Sequence, residues 1–302
     1  IAQRSQECST MELGKLGVWV SMDSMTAAAA AALAKRVEEW GYGALWMPES
    51  RGRNALVLSS WLLANTRKLI VATGIANIYA RDPMAMANGQ RTLAEQSDGR
   101  FLLGVGVSHR PMVEGLRGHT YGRPVATMRA YLKAMREAPY QAVSPSEPPP
   151  TVVAALGPRM MALSAELADG AHPYNTTPQH TAEARAILGP GKLLCPEVWV
   201  LRETDPATAR RAAREALSHY LQLENYVNAW RAQGFGDADL SGGSDRFIDA
   251  IVAWGDEGAI RAHIQQHWDA GADHVCIQPI GPQGSRQIDQ AVLEMLAPAR
   301  RA

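Results

Sequence analysis

Residues 97–111 read SDGRFLLGVGVSHRP, and the run from Phe101 to Val107 is apolar at every position. An unbroken apolar run is typical of a strand that is buried on both faces, as strands of parallel sheets are. Ser108 and His109 follow directly and place polar groups at the carboxyl end of this strand. Parallel α/β sheets and barrels bind their ligands at that end. This stretch therefore predicts a parallel sheet with a ligand site at its carboxyl edge.

The same unit of strand, loop and helix recurs along the whole chain. Counting 101–107, the pattern predicts eight strands, at 16–20, 44–48, 69–77, 101–107, 151–155, 170–174, 192–201 and 273–279. Eight strands that alternate with helices favour a (β/α)8 TIM barrel over an open sheet. We therefore predict one barrel domain over 13–302, with a helical insertion at 202–255 between strands 7 and 8. Residues 1–12 are expected to form a disordered extension.

Composition excludes several classes of function. The chain has 302 residues, of which 46% are hydrophobic, with 30 Lys and Arg against 30 Asp and Glu. This balance leaves no net field to attract nucleic acid or an anionic membrane. Three cysteines, an odd and scattered set, indicate a reducing compartment and not a disulfide framework. Without an 18-residue apolar stretch or a signal pattern, we expect a cytoplasmic protein with no membrane contact.

The predicted strand ends are poor in reactive groups. The lysines lie before strands or in helices, which argues against a Schiff-base enzyme. Carboxylates on the carboxyl side are too few for a magnesium or two-metal site, and we predict no metal. A barrel that is poor in its own acids and bases indicates that an organic cofactor carries the chemistry. A binding protein without catalysis would show the same pattern.

Four histidines and one turn are the candidate functional features. Leu156-Gly157-Pro158 opens a helix and suits a phosphate group, although an ordinary turn would look similar. His109 is either a general acid or a plain loop residue, and His172 stands before a proline at a strand end. His263 and His267 have metal-ligand spacing, but the absence of a third ligand nearby favours a surface helix. His119 and His180 are predicted to be solvated.

Several stretches in order make the chain similar to the bacterial luciferase-like superfamily, and within it to coenzyme F420-dependent oxidoreductases. The stretches are LGVWV, ALWMPES, ATGIANIYARDP, DGRFLLGVGVSH and AALGPRMMALSAELADGAHPY, and the resemblance covers about 13–298. It implies a non-prolyl cis peptide at Gly74–Ile75 behind a deazaflavin ring. It implies cofactor contacts at the third, fourth and fifth strand exits. Together with His172, the predicted cofactor-binding residues are Gly74, Ile75, Ala76, Asn77, Val107, Ser108, Ala155, Leu156, Gly157 and Pro158.

The second strand exit departs from the pattern of many relatives. Those relatives carry Asp-His at this place, whereas this chain has Glu49-Ser50. The departure leaves Glu49 and His109 as the predicted catalytic acid and base. It also argues against a sugar phosphate as the substrate.

The resemblance implies an enzyme that moves a hydride between F420 and a small organic substrate. An FMN-dependent monooxygenase on the same barrel is the first alternative, and a non-catalytic cofactor-binding paralogue is the second. Such barrels often form homodimers, so a homodimer is a further expectation. The aromatic residues of the insertion are expected either to cover the pocket or to pack the insertion onto the barrel; they are Tyr226, Trp230, Phe235 and Trp254.

Overall fold

The computed structural model describes residues 11–285 and 287–301. Its fold is built on a sheet of parallel strands. The strands are β1 (Leu16–Trp19), β2 (Ala44–Met47), β3 (Ile70–Thr73), β4 (Ala76–Asn77), β5 (Phe101–Gly106), β6 (Thr151–Val153), β7 (Gly170–Ala171), β8 (Leu193–Leu194), β9 (Glu197–Leu201), β10 (Val252–Trp254) and β11 (Val275–Pro279). The prediction for residues 1–12 falls almost wholly outside the described part of the chain.

Helices follow nearly every strand and cover the outside of the sheet. The α-helices are α1 (Ala27–Glu39), α2 (Ala55–Ala64), α3 (Pro83–Gln96), α4 (Pro124–Glu137), α5 (Pro158–Leu167), α6 (Pro178–Leu188), α7 (Pro206–Leu217), α8 (Glu224–Ala232), α9 (Asp237–Leu240), α10 (Asp245–Ile251), α11 (Glu257–Asp269) and α12 (Gln290–Met295). Shorter turns are π-helical at Pro111–Leu116 and 3₁₀ at Tyr220–Gln222, Pro282–Gly284 and Pro298–Arg301. The side chain of Asp82 caps α3 and Pro83 is its first residue, as the sequence predicts.

The sheet closes on itself, which confirms the predicted barrel. β1 pairs with β2 on one side and β11 on the other, and the path continues through β3, β5, β6 and β7 to β8. The segment 193–201 lies between β7 and β11, because Cys195 N donates to Ala171 O (2.9 Å) and Cys276 N donates to Pro196 O (3.0 Å). Strand ends therefore meet at one rim of the ring.

The predicted third strand is two strands, β3 and β4. The peptide bond between Gly74 and Ile75 is cis, as the resemblance implies, and it separates the two. Thr73 fastens β3 to β5, because its hydroxyl donates to Gly104 O (2.7 Å) and accepts from Gly104 N (2.9 Å). Gly104 itself is required, since a Cβ there would overlap the Thr73 carbonyl oxygen.

The interior of the ring holds aliphatic side chains together with aromatic and polar ones that hydrogen-bond to one another. Trp46 is fully buried, and its Nε1 donates to His274 Nε2 (3.1 Å). His274 Nδ1 in turn donates to Gly14 O (2.8 Å). Burial lowers the pKa of His274 to about 4, so the ring is neutral. This layer forms a floor below the carboxyl rim.

The insertion at 202–255 contains α7, α8, α9 and α10 and also β10, which the sequence analysis predicted as helix. β10 returns to the strand from which the insertion leaves, with Val252 opposite Trp199 and Trp254 opposite Leu201. Helical structure in the insertion is interrupted after Leu217, where a 3₁₀ turn at Tyr220–Gln222 separates α7 from α8. Trp230, Phe235 and Phe247 pack on one another and give the insertion its own core.

Two predictions about histidines are wrong. His267 is 0% exposed and accepts from or donates to the Thr181 hydroxyl (2.8 Å), so its helix face is core and not surface. His180 is 7% exposed, because α6 packs on α5 and carries this ring inward. In the described part of the chain, no group of three or more potential metal ligands is in position to hold a metal ion. None of the helices described is long and apolar enough to cross a bilayer.

Candidate active site

A cavity of 1330 Å³ opens at the carboxyl ends of the strands. Single drug-sized ligands occupy cavities of about 300–1,000 Å³, so this space suits a cofactor together with a second molecule. Two different and adjoining walls line it, in contact through Trp19 and Gly74. The turn wall consists of Gly74, Ile75, Val107, Ser108, Ala155, Leu156, Gly157 and Pro158.

The second wall is the aromatic chamber, which is built from side chains of β1, the β7 exit, β9, β11 and the insertion. It consists of Trp19, Tyr174, Trp199, Tyr220, Tyr226 and Gln278. Of the four aromatic residues expected to cover the pocket, only Tyr226 lines it. Trp230, Phe235 and Trp254 pack within the insertion instead, which is the structural alternative that the sequence left open.

His172 lies at the junction of the two walls. Its Nδ1 donates to Cys195 O (2.7 Å), and its ring stacks on Trp46 with centroids 4.6 Å apart. Burial lowers the pKa of His172 to about 4, so the imidazole is neutral and its Nε2 is a hydrogen-bond acceptor. That Nε2 is buried and has no partner among the described residues. A buried polar atom of this kind calls for a ligand or water to satisfy it.

The backbone around Gly74 lies against the side chains of Trp19 and His172. Trp19 Nε1 donates to Gly74 O (2.9 Å), which fixes the turn between β3 and β4. A Cβ on Gly74 would lie 2.6 Å from Trp19 Nε1 and 2.9 Å from His172 Nε2. Only glycine therefore lets the chain pass this close to both rings.

The turn before α5 exposes its backbone to the cavity. Gly157 is the N-cap of α5 without a side-chain hydrogen bond, and an added Cβ there would meet nothing within 4 Å. His180 braces this turn, because its Nε2 donates to Leu156 O (2.7 Å). The carbonyl and N–H of a trans peptide point in opposite directions. Because the Leu156 carbonyl faces α6, the Gly157 N–H faces away from α6.

His109 stands on the cavity side of the β5 exit. Its Nδ1 donates to Asn225 Oδ1 (3.1 Å), and its ring lies 5.7 Å from that of Tyr226. Burial lowers the pKa of His109, an effect that the hydrogen bond to Asn225 only partly offsets. The neutral ring has Nε2 as its free proton acceptor. Ser108, with a φ of 57°, makes the bend that brings His109 to this place.

Glu49 lines the cavity but is fully engaged by the protein. One oxygen accepts from Asn77 N (2.9 Å), and the other accepts from Ala55 N (3.2 Å) and forms an ion pair with Arg81. Three donors therefore bind the carboxylate and fix its position. This geometry gives Glu49 a structural role, and it lends no support to the predicted proton transfer.

The other predicted site residues divide into two groups. Val107 and Ser108 line the cavity, as do all four residues of the turn from Ala155 to Pro158. Ala76 and Asn77 do not, because they are 0% and 2% exposed and β4 pairs with β5 beneath the rim. Sequence reasoning missed Trp199, Asn225 and Gln278, although alternate residues of β9 and β11 had to face inward.

Fold and cavity together define a (β/α)8-barrel protein with a ligand site at the carboxyl rim. The family model for luciferase-like monooxygenases matches residues 7–274. The chain therefore belongs to the luciferase-like family, which confirms the resemblance inferred from the sequence.

Individual relatives are distant. A protein of Mycobacterium tuberculosis that carries the name of a coenzyme F420-dependent oxidoreductase is 29% identical over 200 residues, which span 56% of this chain and 57% of that relative. The 5,10-methylenetetrahydromethanopterin reductase of Archaeoglobus fulgidus is 25% identical over 301 residues, 84% of this chain and 90% of the relative.

Solved structures share the fold. An F420-dependent secondary alcohol dehydrogenase, in complex with an F420-acetone adduct, superposes with a TM-score of 0.71 at 15% identity, covering 94% of this chain and 96% of the other. The oxygenating constituent of a Pseudomonas putida 3,6-diketocamphane monooxygenase, in complex with FMN, gives a TM-score of 0.68 at 14% identity over 94% and 96% of the two chains. At these identities the likeness shows the fold alone.

Proposed function

We propose that this protein is an oxidoreductase that moves a hydride between the deazaflavin coenzyme F420 and a small organic substrate. The observation that carries the proposal is the buried, unpartnered Nε2 of His172, a residue that lines a cavity large enough for two molecules. The name of the relative in Mycobacterium tuberculosis supports F420 at this site, and the name of the relative in Archaeoglobus fulgidus supports a reductase.

The residues of the turn wall fit such a cofactor. A flavin or deazaflavin ring carries N–H groups, and His172 Nε2 supplies a buried acceptor for one of them. Open space in front of Gly157 suits an anionic group, because helix N-termini attract negative charge. Gly74 and Ile75 would support the ring, Val107 and Ser108 would border it, and the turn from Ala155 to Pro158 would hold the phosphate.

The chain's own contribution to the reaction is orientation and proton transfer. When bound, a deazaflavin supplies two-electron hydride chemistry at its C5 carbon. His109 is neutral at pH 7, and Asn225 fixes its tautomer, so its Nε2 accepts the proton of a substrate hydroxyl during alcohol oxidation. In the opposite direction the imidazolium returns that proton to the oxygen. Glu49 holds the β4 backbone and the start of α2 in place around the site.

A flavin-dependent monooxygenase is a second candidate. The family model is named for monooxygenases, and the Pseudomonas putida neighbour holds FMN on the same fold. His172 offers a hydrogen-bond acceptor, and the turn before α5 offers a site for an anionic group, to either ring system. The two candidates therefore differ in the cofactor that binds and in the requirement for O₂.

Parallel titrations with F420 and FMN test the proposal. Trp19 touches the turn wall, so its fluorescence should be quenched by a bound ring. Saturable F420 binding with weak FMN binding supports the proposal, followed by reduction of F420 in the presence of alcohols. Preferential FMN binding with oxygen-dependent turnover would establish the second candidate. Tight F420 binding without turnover of any substrate would favour a non-catalytic paralogue.

A further inference from the structure

We infer that the aromatic chamber binds an uncharged, flat ring compound that carries an accepting oxygen, and that Gln278 recognises this oxygen. The inference rests on the proposed function, because the compound would be the hydride partner of the cofactor. It goes further by naming the chemical class of the substrate and the residue that selects it.

Rings dominate the surface of the chamber. Tyr174 lies at its centre, with ring centroids 5.4 Å from Trp19, 5.6 Å from Tyr220 and 6.1 Å from Tyr226. Trp199 meets Tyr220 edge to face at 5.5 Å. Aromatic walls favour flat apolar partners, because offset and edge-to-face contacts add to the area that is buried. Trp19 also touches Gly74 O, so the chamber adjoins the proposed ring site.

Hydrogen bonds among Tyr174, Trp199, Tyr220 and Gln278 leave the amide nitrogen of Gln278 as a donor for a ligand. Tyr174 OH lies 2.7 Å from Gln278 Oε1, the usual length of an O–H···O bond, so Tyr174 donates to the amide oxygen. The lone pairs of Tyr174 are then taken by Trp199 Nε1 (3.4 Å) and by the hydroxyl of Tyr220 (2.9 Å). With its oxygen fixed, Gln278 presents its NH₂ group to the cavity. Gln278 Nε2 donates to no group of the described residues.

None of the six chamber residues is charged. The titratable groups beside them are the imidazoles of His109 and His219, next to Tyr226 and Tyr220, and Glu197, a carboxyl whose pKa is raised well above its usual range by burial. Among the charged residues that line the cavity, Glu49 is paired with Arg81, and Arg51, Arg159, Glu183 and Glu215 are exposed. A carboxylate or ammonium ion in the chamber would lose its water without gaining a counter-ion, which is costly. An uncharged oxygen such as that of a ketone meets the Gln278 donor without this penalty.

Three compounds of one shape test the inference: 2-acetylnaphthalene, 2-ethylnaphthalene and 2-naphthoate. Equilibrium dialysis against the full chain, with and without F420, gives their dissociation constants. We expect the ketone to bind about tenfold more tightly than the ethyl compound, since one hydrogen bond is lost. The anion should bind at least about tenfold more weakly than the ketone, because nothing in the chamber replaces its hydration.

Substitutions then assign the effect to Gln278. Gln278→Met keeps the length of the side chain and removes the donor, so the ketone should bind no better than the ethyl compound. Tyr220→Leu should weaken both compounds, because it removes a ring of the wall. Gln265→Met changes an exposed glutamine that bonds Asp269 on α11, and it should change neither constant. Circular dichroism checks that each variant is folded.

Each outcome decides one question. The inference is overturned if 2-naphthoate binds as well as the ketone, if Gln278→Met weakens both neutral compounds equally, or if none of the three binds. The F420 titration of the same preparations separates the two proposals. Absent F420 binding sinks the proposed function, whereas intact F420 binding without ketone selectivity sinks only the substrate class.

Discussion

The two walls of the cavity are built from different parts of the polypeptide. The turn wall offers mainly backbone, from the turns after β3, β5 and β6, and glycines such as Gly74 and Gly157 make room there. The aromatic chamber offers side chains, two of which, Tyr220 and Tyr226, come from the insertion. A backbone surface depends on the path of the chain, whereas a side-chain surface depends on each residue that stands in it.

This difference divides the work of the site. Backbone N–H and C=O groups are the same in every residue, so the turn wall suits the part of a ligand that many enzymes share. The chamber changes with single substitutions in the insertion or on β11. Cofactor binding should therefore respond to changes of chain path, and substrate choice should respond to changes of side chain.

The largest effect should come from Gly104→Ala, which changes the packing of β5 against β3 beneath the turn wall. The new Cβ would overlap the Thr73 carbonyl oxygen and push β3 away from β5. Overpacking of this kind should lower the free energy of unfolding by about 3 kcal/mol, measured by denaturant titration. Gly157→Ala is the matched control, since its Cβ meets nothing, and it should cost less than about 1 kcal/mol, the preference of an N-cap for glycine over alanine. Equal losses in both variants would contradict the expectation.

His109→Ala should act on turnover and spare the turn wall. Removing a general acid or base lowers kcat by about 100-fold or more, and the affinity for F420 should stay unchanged. Steady-state kinetics with the best alcohol or ketone, alongside an F420 titration, give both quantities. His119→Ala, which changes an exposed histidine outside the cavity, is the control. Unaltered kcat in His109→Ala would show that the proton moves by another route.

His180→Leu tests the brace behind the phosphate turn. The Leu156 carbonyl would lose its partner in a buried place, and the turn would relax, which should weaken F420 binding about tenfold. Binding of the deazaflavin chromophore without its phosphodiester tail should not change. Comparing the two dissociation constants in both proteins isolates the tail. Equal weakening of both ligands would mean that His180 supports the whole cavity and not the turn.

Acidification should lower the stability of the fold beneath both walls, because two buried histidines lie there. Burial lowers the pKa of His172 and of His274 to about 4, against an ordinary 6.5. The unfolded chain then binds more protons below pH 6.5, so stability is complete above that pH and is lost as the pH falls towards 4. Each ring should cost about 1 kcal/mol of unfolding free energy between pH 6.5 and 5.5.

Denaturant titrations at the two pH values measure this loss. His274→Gln should reduce the loss by one ring's share, whereas His119→Ala should leave it unchanged. A loss of stability that is the same in all three proteins would show that the buried rings do not control it.

Periodicity and end residues were sufficient to predict the barrel and most of the turn wall. Unbroken apolar runs identified the strands, and Asp82-Pro83 and Gly157-Pro158 marked helix starts by their capping chemistry. These signals are local, so the sequence displays them directly. The resemblance to a family added the peptide bond between Gly74 and Ile75, which no local pattern indicates.

The chamber escaped prediction because its members meet only in three dimensions. Tyr174 and Gln278 are 104 residues apart, and their hydrogen bond depends on the closure of the ring. Burial of His180 and His267 likewise follows from packing between α6 and its neighbours, and a helical pattern with intervening polar residues concealed it. The ion pair of Glu49 with Arg81, 32 positions along the chain, also depends on the folded structure.

The insertion leaves the barrel at Leu201 and returns at Val252, and its two ends are paired with each other by hydrogen bonds between β9 and β10. Val252 pairs with Trp199, Ala253 pairs with Val200, and Gly255 N donates to Leu201 O (3.1 Å). The two ends of the insertion are therefore held at fixed positions on the barrel, whatever the segment between them. Doubling the length of such a loop costs only about 0.6 kcal/mol of closure entropy. Replacing this segment by another would change the part of the chamber that carries Tyr220 and Tyr226, while the other chamber residues stay on the barrel.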